Sequence, residues 1–337
     1  MKILFFTPSF YPTTGGLESV ARSLAKGLSE QNYIVKILTF TPLQDAQEIN
    51  EGYEIIRTTH KLDIFKLYLD CNIFVHHNIS LKGIWPLFLF PKKWVVLHHL
   101  TYYDFNGKLT FLERIKRYLS ILANNVSVSN FVNQTLPKKG EVIHNPYNED
   151  IFYLKSHLKR AHRLLFVGRL VSDKGCLLLL ESIHKLKMEG IEVYLSIIGD
   201  GPEQAKLKKY CRDKKIEKLV NFLGLKTGSD LADEYNKHQT LVIPSIWKEP
   251  FGIVALEGIA CGCNIIVSDG DGLIESSLGC GYPFIKGDCA DLVSTIKKVH
   301  LNGDLDATYK IPSLLKEYSQ SAVAKNWVKF FNSVYEN

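Results

Sequence analysis

Two glutamates eight positions apart carry the most distinctive chemistry in this 337-residue sequence. Glu249 lies within Pro244-Ser245-Ile246-Trp247-Lys248-Glu249-Pro250-Phe251-Gly252-Ile253-Val254-Ala255-Leu256-Glu257, and Glu257 closes that segment. The Pro/Gly stretch reads as a loop and the apolar run after Gly252 as a helix, with Glu257 about a turn and a half inside it. Glu249 is thereby offered to a ligand in the loop, Glu257 reaches a neighbouring group from the helix, and the unpaired N–H groups of Gly252, Ile253 and Val254 point between them. Carboxylates accept hydrogen bonds from hydroxyls and helix N-terminal N–H groups bind phosphate oxygens, so the pattern suits a ligand with both. Plain surface charge is the competing reading, opposed by the placement of Ser245, Glu249 and Phe251 in a loop wedged between apolar runs.

Cations stand ready elsewhere. Val167-Gly168-Arg169-Leu170-Val171-Ser172-Asp173-Lys174-Gly175 ends a strand and enters a helix, so Arg169, Lys174 and the helix dipole can converge on a diphosphate; two solvated basic residues explain the segment equally well. Thr13-Thr14-Gly15-Gly16 sits between a first strand and a first helix, where glycines permit close backbone approach, as a tight βα turn alone also would. His98-His99 follow the strand Trp94–Leu97 and His76-His77 follow Ile73–Val75. Neighbours in a continuing strand face opposite ways, so one of His98 and His99 meets the ligand edge; for His76 and His77 a structural role competes with a catalytic one. No metal ligands are nominated, since arginine and lysine can neutralise a diphosphate.

The elements that position these groups alternate strand and helix. Strands are expected at Lys2–Phe6, Ile34–Phe40, Ile73–His76, Trp94–Leu97, Asn125–Val128 and Glu141–Ile143, with a helix over Leu17–Gln31 whose Leu17, Val20, Ala21, Leu24 and Leu28 form one apolar stripe. After the turn-rich Asn145-Pro146-Tyr147-Asn148-Glu149-Asp150 the pattern restarts, with strands at Leu164–Val167, Glu192–Ile198, Val220–Phe222, Thr240–Ile243, Asn264–Val267 and Tyr282–Phe284. Helices are expected at Cys176–Met188, Glu203–Asp213, Val254–Cys261 and, at the end, Ser319–Tyr335. Such runs define an α/β chain of two doubly wound parallel sheets, and ligands of such sheets bind beyond the carboxyl ends of the strands. The length suits two domains of roughly 150 residues each, and 46% hydrophobic with 23% charged residues is globular composition. Seven scattered cysteines without C-x-x-C pairs read as reduced thiols.

Taken in order, these motifs resemble the retaining glycosyltransferases of family 4, also described as group 1, and the resemblance covers nearly the whole chain. It rests on the E-x7-E pair Glu249 and Glu257, supported by Gly15-Gly16-Leu17-Glu18, Phe166-Val167-Gly168-Arg169-Leu170 with Lys174-Gly175, Ile198-Gly199-Asp200-Gly201-Pro202, Phe222-Leu223-Gly224 and Glu275. It implies a GT-B fold, two Rossmann-like domains facing across a cleft: an acceptor-binding domain over 1–155, a nucleotide-sugar-binding domain over 156–318, and a terminal helix over 319–337 crossing back to the first. It further implies that Arg169 and Lys174 neutralise the diphosphate of a nucleotide-sugar donor, Glu257 holds the ribose hydroxyls, and Glu249 contacts the transferred sugar. Gly252, Ile253 and Val254 would bind the distal phosphate, Leu223 and Gly224 would lie near the base, and Gly16 would meet the donor from the first domain. The donor-binding set so implied also includes Gly15, Gly168, Gly199, Ser245 and Phe251, and the family's histidine near the donor sugar aligns with His98. Departures are Asn145-Pro146 for Asn-Gly, Gly262-Cys263-Asn264 for Gly-Thr-Pro, and Asp271-Gly272 for Gly-Gly.

The expected activity is retaining transfer of a sugar, with a UDP-sugar favoured as co-substrate and no cofactor or metal, to a hydroxyl of a glycan or lipid-linked acceptor in cell-surface polysaccharide or glycolipid synthesis. Net charge is +6, too mild for wrapping nucleic acid. Residues 79–140, however, hold nine Lys/Arg against two acidic residues beside Ile84-Trp85-Pro86-Leu87-Phe88-Leu89-Phe90 and the helical segment Leu109–Leu122. Such a surface suits an anionic membrane, although buried apolar faces with solvated lysines fit equally. No run reaches the roughly 18 apolar residues of a membrane span, and Met1-Lys2-Ile3-Leu4-Phe5-Phe6 is too short for a signal-peptide core, so a cytoplasmic protein, peripheral on the inner membrane face, is expected. The rivals are a nucleotide-sugar epimerase, a non-catalytic sugar-binding subunit, and an NAD-dependent oxidoreductase built on Gly199-Asp200-Gly201, which Gln204 disfavours because the dinucleotide fingerprint needs a small residue there.

Overall fold

Runs such as Ile3-Leu4-Phe5-Phe6 and Ile73-Phe74-Val75 are buried along their whole length, as strands covered by helices on both faces must be. The computed structural model describes residues 1–13, 15–43, 49–104, 107–302 and 311–336, so Thr14 of the first glycine loop lies outside the described residues. Two compact units result, Met1–Tyr147 with Glu317–Asn337, and Asn148–Lys316.

Unit 1 holds β1 (Lys2–Phe6), β2 (Ile34–Thr39), β3 (Glu54–Arg57), β4 (Ile73–His77), β5 (Lys93–His98), β6 (Asn124–Ser127) and β7 (Glu141–Val142), in the order β3-β2-β1-β4-β5-β6-β7. Every pairing is parallel. The order reverses at β1/β4. One face packs Leu4, Phe6, Leu38, Tyr68, Phe74, Trp94 and Val96 into a single core. The helix Gly16–Glu30 buries Val20, Ala21, Leu24, Ala25 and Leu28, spaced three and four apart as the sequence pattern requires. The last helix, Gln320–Glu336, packs against it. Gly27 allows that approach, since a Cβ there would lie 2.9 Å from the Cβ of Ala324. Trp327 and Phe331, both fully buried, anchor the terminal helix in unit 1.

Unit 2 holds β8 (Ala161–Val167), β9 (Leu195–Ile198), β10 (Val220–Gly224), β11 (His238–Ile243), β12 (Asn264–Ser268) and β13 (Tyr282–Phe284), ordered β10-β9-β8-β11-β12-β13 and again all parallel. Its order reverses at β8/β11. Leu164, Phe166, Leu179, Ile183, Ile197, Val242 and Ile266 sit in one core with the face of the helix Cys176–Met188.

Strands and helices expected from the sequence occur with ends shifted by up to three residues: β8 starts at Ala161 against the expected Leu164, and β9 at Leu195 against the expected Glu192. β3 was not expected, because Glu54-Ile55-Ile56-Arg57 is a short edge strand with no fully buried residue. None of the seven cysteines is in a disulfide.

Candidate active site

Unit 2 concentrates its polar chemistry where the strand order reverses, the place at which open α/β sheets bind ligands. The loop after β8 contains Gly168, Arg169 and the turn Ser172–Lys174, and the loop after β11 runs from Pro244 to Gly252. The main chain ties the two together. The N–H groups of Ile246 and Trp247 both donate to the carbonyl of Asp173, at 2.9 and 3.1 Å. Gly175, at φ +70°, lies so close that a Cβ would sit 1.8 Å from the carbonyl oxygen of Pro244. Only glycine fits this crossing.

The side chains converge in turn. Lys174 Nζ donates to Glu249 Oε1, and the buried Ser245 hydroxyl donates to the same oxygen at 2.7 Å. Glu249 is itself buried, so its carboxylate is held by a cation and a hydroxyl while Lys174, partly exposed, keeps two further N–H donors for another anion. Arg169 is exposed at the head of the same loop. The helix Ile253–Ala260 starts at Gly252, at φ +87°, whose missing Cβ leaves room for Leu273; the N–H of Gly272 donates to the carbonyl of Glu249 at 2.9 Å and fixes the loop from the far side.

Glu257 stands apart from the Lys174–Ser245–Glu249 cluster in its bonding. Its Oε2 accepts from the buried Tyr235 hydroxyl at 3.0 Å. The residue retains some exposure, but the carboxyl is sunk deeply enough that burial pushes it up to about 7, partly offset by the tyrosine hydrogen bond. Tyr235 lies on a different helix, Gly228–Lys237, and no motif ties it to Glu257.

The neighbouring strand ends are laced by backbone bonds, Gly168 N to Ile198 O at 3.0 Å, Leu170 N to Asp200 O at 2.8 Å and Gly199 N to Gly224 O at 2.9 Å. A Cβ on Gly199 would lie 1.9 Å from the carbonyl oxygen of Gly168, which explains the glycine. Gly168, Gly199 and Gly224 therefore form one edge beside the cation loop, with Leu223 partly exposed next to Gly224.

The sequence contains two Asp-x-Asp runs, Asp269-Gly270-Asp271 and Asp304-Leu305-Asp306, the second outside the described residues. Lys286 takes up both carboxylates of the first: its ammonium pairs with Asp271 and its backbone N–H donates to Asp269 Oδ1 at 2.8 Å. Among the described residues no three His, Cys, Asp or Glu side chains converge to hold a metal ion.

In unit 1 the corresponding edge carries Gly15, Gly16 and four buried histidines. Gly15 is extended and its carbonyl accepts from Ser19 N at 3.0 Å, while nothing crowds the position of a Cβ on Gly16. His98 has both ring nitrogens occupied, Nε2 by Asn125 Oδ1 at 2.9 Å and Nδ1 by the Tyr102 hydroxyl at 3.1 Å, and burial pushes it down to about 4. Both of its ring nitrogens are thus bonded within unit 1. His99 points the other way and lies nearly parallel to His77, and its Nδ1 has no partner among the described residues. His76 accepts from Trp94 Nε1 at 3.3 Å and belongs to the core.

Comparison with known proteins agrees with the fold. Residues 150–310 match the family described as glycosyl transferases group 1. The chain is 26% identical over 367 residues to the uncharacterized glycosyltransferase MJ1178 of Methanocaldococcus jannaschii, covering 100% of this chain and 98% of that one. It is 39% identical over 112 residues to MJ1607 of the same organism, another uncharacterized glycosyltransferase, a match spanning 33% of this chain and only 28% of that relative. The solved structure of Anabaena Alr3699/HepE in complex with UDP and glucose superimposes with a TM-score of 0.81 at 16% identity, covering 99% of this chain and 100% of that one. The fold is GT-B, with two Rossmann-like parallel-sheet domains, and residues 150–310 are similar to the group 1 glycosyl transferases.

Proposed function

We propose that this protein is a retaining, metal-independent glycosyltransferase of family 4 that moves a sugar from a nucleotide diphosphate sugar, a UDP-sugar by preference, to a hydroxyl of a glycan or lipid-linked acceptor in cell-surface polysaccharide or glycolipid synthesis. The observation that carries this reading is the convergence of Lys174, Ser245 and Glu249 at the β8/β11 reversal. The leaving diphosphate gains negative charge as the glycosidic bond breaks. Lys174, Arg169 and the N–H groups of Ile253 and Val254 stabilise it from fixed positions, which is preorganised electrostatic catalysis. Glu249, released from Lys174 or sharing it, accepts hydrogen bonds from the sugar, and Glu257 accepts from the ribose. His99 takes the sugar-facing role in place of His98. Retention proceeds by front-side attack, with a donor phosphate oxygen receiving the acceptor's proton. UDP in the solved HepE structure supports the choice of base.

The acceptor is assigned to unit 1. No residue of the helix Phe111–Leu119 is buried, and Phe111, Leu112, Tyr118 and Leu122 lie exposed beside Arg114, Lys116 and Arg117. This supports peripheral attachment to an anionic membrane on the cytoplasmic side, delivering a lipid-linked acceptor. Among the described residues no helix is long and apolar enough to cross a membrane.

The test is donor turnover across UDP-, GDP- and ADP-sugars, in EDTA and with product anomer determined by NMR. Release of nucleoside diphosphate with a retained anomer, undiminished by EDTA, is expected. An isomerised free donor or reduction of NAD would replace this reading with an epimerase or an oxidoreductase.

A further inference from the structure

His77 ends β4 and His99 follows β5, and their rings stack with an interplanar angle of 17°. His77 Nδ1 and His99 Nε2 are 3.0 Å apart, so one donates to the other. Both residues are buried and their rings held neutral, the pKa values pushed down by burial. Each ring therefore carries one proton, and the shared bond fixes where both protons sit.

The rest follows from what lies on the far side of each ring. His77 Nε2 is sealed from solvent and has no partner. If His99 donated, His77 would carry its proton on that nitrogen, an orphaned buried N–H, which is the rarest kind of unsatisfied group. If His77 donates from Nδ1, its Nε2 is only a bare lone pair, and the single proton of His99 moves to Nδ1, which has no partner among the described residues and is not among their sealed, unsatisfied atoms.

We infer that His77 is a positioning residue that locks His99 as an Nδ1–H donor, so that His99 gives a hydrogen bond to an oxygen of the donor sugar and does not act as a base. This rests on the reading above that His99 faces the sugar. The lock also fixes ring direction, because His99's backbone N–H is held by Asn78 Oδ1 at 2.8 Å while its ring is held by His77.

Two measurements test it. Long-range ¹H–¹⁵N NMR on the full chain labelled at histidine, with His99→Gln for assignment, reports the tautomer directly without any ligand. A protonated Nδ1 and bare Nε2 on His99 are expected; the reverse overturns the inference alone. For the second, turnover is followed with whichever of the UDP-, GDP- or ADP-sugars the protein hydrolyses. His77→Phe should lower kcat/KM roughly three- to tenfold, the worth of one net hydrogen bond, and His77→Asn, whose amide can donate, should recover most of it. In a His99→Ala background His77→Phe should have no further effect. An equal loss in both backgrounds would mark His77 as merely structural and sink the positioning role. An unchanged rate in His99→Ala alone would remove the sugar-facing reading of His99 and the positioning role with it, while the tautomer result stands separately.

Discussion

Glu257 offers a quantitative test of the donor site. Its carboxyl sits at about 7 in the free protein because burial disfavours the charged form. A ribose diol donates two hydrogen bonds to a carboxylate, so the nucleotide sugar binds the ionised form and must drive off a proton when the pH lies below 7. One pH unit below the pKa only about a tenth of the protein is ionised, so affinity should weaken about tenfold, or roughly 1.4 kcal/mol, between pH 8 and pH 6. The ligand should be an intact nucleotide sugar, whose diphosphate diester does not titrate in this range, and not the free nucleotide. Calorimetry from pH 5.5 to 8.5 would follow Kd and, in buffers of different ionisation heat, the proton released. Glu257→Gln should bind more weakly at pH 8 and show no slope. A flat wild-type profile, or an equal slope in the glutamine variant, would refute the role. Stability moves the opposite way. Because the folded-state value is raised above the ordinary 4.5, Glu257 contributes stability that is full below pH 4.5 and lost as the pH rises through 7, by at most about 3 kcal/mol. Glu257→Gln should therefore raise Tm most above pH 7.

Lys174→Ala should cut turnover by roughly two to three orders of magnitude, the usual cost of one preorganised donor on a developing charge; circular dichroism should show the fold retained, and full activity would end the assignment. Gly175→Ala should lower Tm sharply, because its Cβ would meet the Pro244 carbonyl at 1.8 Å and its φ of +70° disfavours any side chain; an unchanged melt would mean the two loops do not cross as described. Acid should weaken unit 1: His76 and His77 are pushed down to about 3 and His98 to about 4, so stability present above pH 6.5 falls as each must take up a proton on unfolding. At pH 5 that is roughly 2 kcal/mol per histidine, a large share of a typical domain's stability, and calorimetry should show a transition moving down steeply below pH 6.5. Flotation with vesicles containing phosphatidylglycerol should retain the protein at low salt and lose it on Phe111→Ser with Leu122→Ser, and binding that ignores both salt and these substitutions would reject the membrane surface.

Much of unit 2 was legible because its signals are local. Glu249, Lys174 and the glycines lie in segments where strand, loop and helix follow within a dozen residues, and residue type alone reports the backbone conformation required. The crossing of Gly175 and Pro244 was not legible, since no pattern in one segment shows which other segment it must pass. Tyr235 escaped for the same reason: its hydroxyl meets Glu257 from another helix. β3 escaped because an edge strand lacks the continuous apolar run that marks a strand buried on both faces.

The histidines show the limit most clearly. Two adjacent imidazoles at a strand end are indistinguishable by type and spacing, and alternation says only that they diverge. What separates them is the partner each meets across the sheet. Asn125 on β6 and Tyr102 consume both nitrogens of His98, whereas His77 on β4 consumes one nitrogen of His99. That difference is set by strand order: β5 lies between β4 and β6, so one histidine turns toward each neighbour. The other nitrogen of His99 has no partner among the described residues, and the unsatisfied Nε2 on His77 determines which proton His99 carries. Sheet topology thus sets which partners each histidine meets, and the accounting of buried hydrogen bonds sets which nitrogen is left over; neither can be read from the pair His98-His99 without the strands on either side.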